Sequence, residues 1–118
     1  GWHCVTPRIV ATNARSLVEF VRYVFDATGA YQSAAPSIIQ IADSKLMVSE
    51  AGERGHSPAF LYVYVADVTA VYRRALERGA ISIEAPFDTP YGDRRCMVTD
   101  NWGNTWQIAT LLRRSSAA

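Results

Sequence analysis

The stretch FLYVYVADVTAVYRRALERG, residues 60–79, decides the fold class because its hydrophobic period changes once along its length. Phe60, Tyr62 and Tyr64 alternate onto one face of a run of strong β-formers, which predicts a strand. Asp67 follows at the position of a helix N-cap, and Gly79 is a typical stop signal. Between them the apolar residues recur at helical spacing, at Val68, Val71, Tyr72 and Ala75. The stretch therefore predicts a strand that enters an amphipathic helix.

Further strands are predicted on the carboxyl side of this helix. Short runs of β-formers occur at residues 81–83, 94–99 and 105–109. The last two runs are separated by Asp100-Asn101-Trp102-Gly103-Asn104, which has the composition of a turn. The second half of the chain is thus predicted to hold a strand, a helix and three more strands.

The first half repeats the order of a strand, a helix and further strands, with two strands after the helix. A strand is predicted at residues 5–10, and Asn13 is an N-cap candidate for a helix from Ala14 to Ala27. Two strands follow at residues 37–41 and 45–49, and residues 51–58 have the composition of a linker loop. Two helices among seven or eight strands, with each helix on one face of a sheet, predict the α+β class.

Composition and charge describe a globular chain and argue against several partners. The 118 residues are 49% hydrophobic and 19% charged, which suits one folded domain. Twelve Lys and Arg residues against eleven Asp and Glu give a net charge of +1, so we expect no nucleic-acid partner. No apolar run approaches the length of a membrane span, so we expect no membrane partner. Two cysteines do not make a disulfide framework, and we expect reduced thiols and a cytoplasmic location.

Several segments, in this order and at these spacings, resemble the vicinal oxygen chelate superfamily of glyoxalases, bleomycin-resistance proteins and extradiol dioxygenases. They are Val5-Thr6-Pro7, the helix before Gly29-Ala30, residues 63–68, the turn Tyr91-Gly92-Asp93-Arg94, and residues 100–107. The last resembles the family's aspartate-x-x-glycine-asparagine turn and closing strand. The resemblance implies paired βαβββ modules that form a curved mixed sheet around a cleft, usually in a homodimer. We expect a single domain over residues 4–110, with modules at about 4–50 and 58–110 and a C-terminal tail over 111–118.

The resemblance also implies where a divalent metal would be held, and those positions carry poor donors here. The metal-ligand position on the first strand falls on Thr6. The position that begins the second module falls on Phe60, and the position on the closing strand falls on Gln107. A catalytic divalent ion is usually held by three imidazole, carboxylate or thiolate ligands. A phenyl ring supplies no donor, a threonine hydroxyl is a poor one and a glutamine carbonyl is neutral. We therefore expect no metal and no cofactor, which removes the Lewis acid of the enzymatic members.

An alternative is a metal site built from shifted ligands. His3 and His56 are the two histidines of the chain, and either could act with Glu50 or Glu53. The simpler interpretation places His3 ahead of the first strand and His56 in a solvated loop, where a ligand lacks rigid support.

By the same resemblance, the strand faces that line the cleft carry the candidate ligand contacts. Alternation places five of them on three strands: Phe60, Tyr62, Arg95, Met97 and Gln107. Aromatic groups with a few polar ones are typical of a small-molecule site. The alternative is that the aromatic rings fill a collapsed core.

Three further ligand contacts are predicted at Thr6, Arg8 and Trp102. Arg8 shares the face of Thr6, where a guanidinium needs a carboxylate such as Asp93 or an anionic ligand, unless its side chain reaches outward to solvent. Trp102 lies in a turn, where it could contact a ligand or a partner subunit. The turn at residues 91–94 could bind a ligand at the cleft mouth, although its glycine and aspartate are more typical of a structural turn.

These features favour a metal-free small-molecule-binding protein of the glyoxalase/bleomycin-resistance type, which could sequester an antibiotic or a metabolite. We expect an aromatic or anionic ligand, because Arg8 and Arg95 lie on the predicted cleft faces, where acidic residues are sparse. A second hypothesis is a lyase, isomerase or dioxygenase-type enzyme of the same superfamily that uses shifted metal ligands or acid–base residues such as Tyr62 and Asp93. A third is an interaction module whose cleft is filled by its own side chains. The residues at the metal positions make an enzyme less favoured than a binding protein.

Overall fold

The structure, a computed structural model, describes residues 2–52 and 55–112 and divides into two compact units between Ala59 and Phe60. We call them the N-unit and the C-unit. The N-unit contains β1 (Arg8–Ala11), α1 (Ala14–Phe25), β2 (Ser37–Ile41) and β3 (Ser44–Glu50). The C-unit contains β4 (Phe60–Tyr64), α2 (Val68–Glu77), β5 (Ile81–Asp88), β6 (Asp93–Thr99) and β7 (Thr105–Leu111). The predicted α+β class is confirmed.

The N-unit is a three-stranded sheet with α1 packed on one of its faces. The strand order is β1-β3-β2, with β1 parallel to β3 and β2 antiparallel to it. Its core consists of the buried residues of the helix and of the covered face, among them Ile9, Leu17, Val21, Val24, Ile39, Leu46 and Val48. The spacing of the helical members is the one that predicted α1 from the sequence.

The N-unit departs from the expected βαβββ pattern by one strand. The segment between α1 and β2 contributes one isolated bridge, between Thr28 and Gln40. Next to that bridge, Gly29 has φ +109, and a Cβ there would lie 2.2 Å from the carbonyl oxygen of Ile38. The segment therefore follows β2 closely without forming a ladder.

The N-terminus of α1 is capped by a residue other than the one predicted. Asn13 has φ 62 and makes no side-chain cap hydrogen bond. Instead the Glu50 carboxylate, at the end of β3, accepts from the backbone N–H groups of Asn13 and Ala14 at 2.9 Å each. A carboxylate satisfies two free amides at once and opposes the positive end of the helix dipole, which an asparagine amide cannot do.

The C-unit has the complete βαβββ pattern. Its strand order is β4-β7-β6-β5, with β4 parallel to β7 and the other pairs antiparallel. The core between α2 and the sheet is formed by Val68, Val71, Ala75, Cys96, Val98, Trp106 and Ile108. Asp67 caps α2 as predicted, accepting from the N–H of Ala70 at 3.2 Å, and the Thr110 hydroxyl accepts from the N–H of Val68 at 2.7 Å.

Several strand bounds differ from the predicted ones. β1 begins at Arg8, although the carbonyl of Pro7 still accepts from the N–H of Met47 at 2.9 Å. β5 continues to Asp88 through Pro86, which an edge strand with register irregularities tolerates. β7 includes Leu111, the first residue of the predicted tail, whereas residues 113–118 lie outside the described part of the chain. Neither helix in the described residues is both long and apolar enough to cross a membrane.

The turn between β6 and β7 is built around one buried carboxylate. Asp100 is 5% exposed, and its Oδ1 accepts from the backbone N–H groups of Trp102 and Asn104, both at 2.9 Å. Its Oδ2 accepts from Asn104 Nδ2 and Trp106 Nε1, also at 2.9 Å. Asn104 and Trp106 are fully buried, so the carboxylate satisfies donors that would otherwise have no acceptor. The turn that resembles the family's aspartate-x-x-glycine-asparagine motif is thus a structural connection in this chain.

Candidate functional site

Three large aromatic side chains are exposed on the open face of the C-unit sheet, opposite α2. Phe60, Tyr62 and Tyr64 alternate along β4 and are 64%, 43% and 61% exposed. Side chains that fill a collapsed core would be buried, so these fractions argue against that alternative. We call the open surface the aromatic face and define it by Phe60, Tyr62, Tyr64, Glu84, Phe87, Asp93, Arg95, Met97 and Gln107.

The strand register aligns the predicted contacts in rows across this face. One row runs Tyr62–Gln107–Met97–Glu84, and the next runs Tyr64–Ala109–Arg95–Phe87. Residues directly opposite each other have Cβ atoms about 5 Å apart, within contact range for such side chains. The structure therefore brings five of the predicted contacts, Phe60, Tyr62, Arg95, Met97 and Gln107, onto one surface.

Arg95 is held in place by a carboxylate and an aromatic ring, both from β5. Its Nε donates to Glu84 Oε1 at 3.1 Å, and the two side chains are 24% and 30% exposed. The guanidinium carbon lies 5.2 Å from the centre of the Phe87 ring, a cation–π arrangement. The hydrogen bond with Glu84 raises the pKa of Arg95, so the guanidinium stays charged and its charge is balanced locally.

Tyr62 connects the aromatic rings to a second carboxylate. Its hydroxyl donates to Asp93 Oδ2 at 3.4 Å, and its ring lies 5.2 Å from that of Tyr64, tilted by 48°. Burial, and then the neighbouring Tyr64 and Asp93, raise the pKa of Tyr62 above its usual value of 10.0. The phenol is therefore neutral near neutral pH, where it can donate a hydrogen bond but is unsuited to act as a general base.

The loop that precedes Asp93 is a hydrogen-bonded turn. The buried Thr89 donates its N–H to the carbonyl of Asp93 at 2.7 Å, and its hydroxyl accepts from the N–H groups of Tyr91 and Asp93 at 3.3 Å each. Gly92 adopts φ 94, which this turn requires. These contacts agree with the structural interpretation of the turn, which holds Asp93 at the end of the aromatic face.

The other three predicted contacts lie elsewhere. Thr6 and Arg8 belong to the N-unit, where Thr6 precedes β1 and is half-buried. Arg8 is exposed, and its Nε donates to the Ser49 hydroxyl at 2.9 Å, so a neutral group takes the place of the carboxylate partner considered from the sequence. Trp102 is half-buried in the β6–β7 turn, where its backbone N–H donates to Asp100 Oδ1.

The residues that the structure describes do not fit a catalytic metal. Within residues 2–52 and 55–112, no group of three His, Cys, Asp or Glu side chains could hold an ion. Of the shifted candidates, the His3 ring contacts the carbonyl of Asp43 at the start of β3, whereas Glu50 caps α1 at the other end. The length of β3 separates those two positions by about 20 Å, so His3 and Glu50 cannot share an ion. Glu53 lies outside the described residues.

Two members of the aromatic face, Glu84 and Phe87, were not predicted at all. Alternation placed Tyr64 on the same strand face as Phe60 and Tyr62, but it was not named as a ligand contact. Glu84 and Phe87 were missed because the predicted strand ended at Ile83, ahead of Pro86, whereas β5 continues to Asp88. The irregular register between Ser82 and Phe87 places both Glu84 and Phe87 opposite β6 residues of the open face.

Comparison with known proteins gives one family and several relatives. The Glyoxalase/Bleomycin resistance protein/Dioxygenase superfamily model matches residues 8–108. An uncharacterized protein of Mycobacterium tuberculosis is 26% identical over 127 residues, covering 92% of this chain and 75% of the relative. The crystal structure of TioX from Micromonospora sp. ML1 is similar with a TM-score of 0.79 and 23% identity, over 95% of this chain and 100% of TioX.

A further solved structure supports the same fold. A glyoxalase/bleomycin resistance protein/dioxygenase family enzyme from Burkholderia phytofirmans PsJN has a TM-score of 0.74 and 18% identity, over 91% of this chain and 97% of the enzyme. At these identities, TioX and the Burkholderia enzyme show the shared fold alone.

Proposed function

The chain belongs to the glyoxalase/bleomycin resistance protein/dioxygenase superfamily, and from this we propose that it is a metal-free protein that binds a small planar aromatic molecule on the aromatic face. The observation that carries the proposal is the row of exposed rings at Phe60, Tyr62 and Tyr64 beside polar groups of fixed geometry. Exposed clusters of large apolar side chains on soluble domains commonly mark binding sites. A ligand would stack on the rings and meet the hydrogen-bonding groups at one end of the sheet.

The chemistry of the face supports binding more than catalysis. Thr6, Phe60 and Gln107 do not supply a set of metal ligands, and no Lewis acid chemistry is assigned to them. An acid–base enzyme would need Tyr62 or Asp93 to exchange a proton with a substrate, and the raised pKa of Tyr62 opposes that role for the phenol. A protein that holds a ligand unchanged is suited to sequester a metabolite or an antibiotic.

The remaining expectations are proposals of the same kind. The superfamily often dimerises, and we propose a homodimer, a single domain over residues 4–110 and a cytoplasmic location. Light scattering at micromolar concentration is expected to give twice the 13.0 kDa monomer mass, and the monomer mass would contradict the dimer.

The experiment uses acridine, a neutral tricyclic aromatic at pH 8, and isothermal titration calorimetry. Tyr64→Ala removes one stacking ring and is expected to raise the Kd about tenfold. Tyr23→Ala is the matched control, because it deletes the same side chain from α1 of the N-unit, where it is 37% exposed. Its expected Kd is that of the wild type. Acridine that fails to bind, or that binds equally to both variants, would contradict the proposed face.

Elemental analysis separately tests the proposal that the protein is metal-free. Protein purified without chelators is expected to contain no stoichiometric nickel, zinc, iron or manganese. One equivalent of any of these would overturn the metal-free part of the proposal and favour the enzymatic alternative.

A further inference from the structure

We propose that Glu84 sets the charge preference of the aromatic face, so that the face accepts a planar aromatic cation and disfavours an anion of the same shape. The inference rests on the proposed function, since it concerns the ligand of the same face. It also narrows the expectation drawn from the sequence, which was an aromatic or anionic ligand and considered Arg8 and Arg95 without the Glu84 partner of Arg95.

The charges on the aromatic face leave one carboxylate unbalanced. Among its nine defining residues, the charged types are the two carboxylates of Glu84 and Asp93 and the guanidinium of Arg95. Arg95 pairs with Glu84 at 3.1 Å. Asp93 accepts one long hydrogen bond from the neutral Tyr62 hydroxyl, and it forms no ion pair within the described part of the chain. The defining residues therefore carry one net negative charge, located at Asp93.

The rings around Asp93 favour a cation for a second reason. The face of an aromatic ring carries negative potential, and a cation placed over it is attracted. Tyr62 and Tyr64 are tilted by 48° with centres 5.2 Å apart, and Tyr62 also reaches the Asp93 carboxylate. A flat cation that stacks on these rings would thus approach the unbalanced charge while it remains in contact with the aromatic surface.

The ion pair between Arg95 and Glu84 disfavours an anionic ligand. To bind Arg95 it would have to displace Glu84 from the guanidinium, and this carboxylate, which is 30% exposed in the pair, would lose its partner. Leaving a largely buried charge without its partner is strongly unfavourable. Glu84 therefore works as a specificity-determining residue through Arg95, because it occupies the guanidinium that an anionic ligand would use.

The chain offers a matched control on the same pair of strands. Arg94 and Asp88 form an ion pair at 2.9 Å, also between β6 and β5. Their side chains are 45% and 59% exposed, and neither residue belongs to the aromatic face. Asp88→Asn removes the same charge as Glu84→Gln and releases Arg94 instead of Arg95. Any effect of net charge alone is therefore equal in the two variants.

The test compares 9-aminoacridine, a cation at pH 8, with acridine-9-carboxylate, an anion with the same ring system. The wild type is expected to bind the cation about tenfold more tightly than the anion. Glu84→Gln is expected to reverse the preference, because the anion then gains Arg95. Asp88→Asn is expected to keep the wild-type ratio of the two Kd values. Asp93→Asn provides a second variant, expected to bring the ratio close to one without affecting the Arg95 pair.

The outcomes distinguish the role of Glu84 from the proposed binding function of the aromatic face. A wild type that prefers the anion, or a ratio that changes equally in Glu84→Gln and Asp88→Asn, would overturn the role of Glu84. If neutral acridine still binds in a Tyr64-dependent manner, the proposed function survives that result. If none of the three acridines binds, the proposed function fails, and the inference fails with it.

Discussion

The two sheets present open faces that share a topology and differ in chemistry. In both units the first strand runs parallel to the closing strand, and alternate residues face away from the helix. In the N-unit the open face is aliphatic and basic, with Arg8, Ile38, Lys45, Met47 and Ser49. In the C-unit it carries aromatic rings and an unbalanced carboxylate. The fold thus determines which residues face outward, and the residue types at those positions determine what each face can bind.

The helix N-termini show the same contrast. In each unit the closing strand supplies an acceptor to the first turn of the helix, from Glu50 in the N-unit and from Thr110 in the C-unit. The Asp67 side chain also caps α2 locally, whereas the Asn13 side chain makes no cap hydrogen bond and α1 is capped by Glu50. Glu50, a candidate for the shifted metal site, therefore stabilises a helix instead.

The largest expected effect is a difference in the free energy of unfolding between variants in the two turns that precede the closing strands. Asp100→Ala removes the acceptor of four hydrogen bonds, two of them from fully buried side chains, and is expected to lower the free energy of unfolding by about 4 kcal/mol. Asp43→Ala, in the corresponding turn of the N-unit, alters an exposed side chain and should cost less than about 0.5 kcal/mol.

Urea denaturation measures both changes. If Asp100→Ala does not fold, Asp100→Asn retains the acceptor Oδ1 and keeps the comparison measurable at an intermediate loss. Equal stabilities for the Asp100 and Asp43 variants would show that the buried carboxylate does not support the C-unit as described.

A smaller difference is expected between two glycines with positive φ. Gly29→Ala places a Cβ 2.2 Å from a backbone carbonyl oxygen at φ +109, and we expect a loss of about 3 kcal/mol. Gly79→Ala, after α2, meets the Asn101 side chain at 3.0 Å, which can move, and we expect about 1 kcal/mol. Thermal melting of both variants checks the order. A more severe loss at Gly79 would contradict the close approach at Gly29.

The two cysteines give the smallest effect. Cys4 is exposed, whereas Cys96 is fully buried, and burial raises the pKa of the Cys96 thiol from 9.0 to about 11. Because the thiolate is the reactive form, an aromatic disulfide reagent at pH 8 should label one thiol in the native protein and two in denaturant. The raised pKa also predicts stability that is present below pH 9 and lost between pH 9 and 11, relative to Cys96→Ala. Two labelled thiols in the native protein would contradict the burial of Cys96.

The sequence predicted the parts of the fold that depend on periodicity. Both helices, the Asp67 cap and the alternation along β4, β6 and β7 follow from residue spacing, and the described structure confirms them. What it did not predict depends on contacts between distant residues. Glu50 caps a helix that begins 36 residues earlier, and no local pattern signals that partnership.

The dependence on contacts between distant residues also explains which part of the candidate site the sequence did not predict. Alternation placed Phe60, Tyr62, Arg95, Met97 and Gln107 on strand faces, and the family resemblance implied that these faces line one surface. The charge balance of Arg95 depends on Glu84, which faces β6 through an irregular register on β5 beside Pro86. A proline and an interrupted register conceal such a strand from a pattern of short apolar runs, so the expectation of an aromatic or anionic ligand did not include the charge of Glu84.

The most direct test of the account is to map acridine binding by amide chemical shifts in the ¹⁵N-labelled protein. We expect shifts that saturate with added acridine and are concentrated in β4, β6 and β7, at Tyr62, Tyr64 and Arg95 above all. Amides of β1, β2 and β3 should change little. Saturable shifts confined to the N-unit sheet, or no shifts at all, would contradict the claim that the aromatic face is the binding surface.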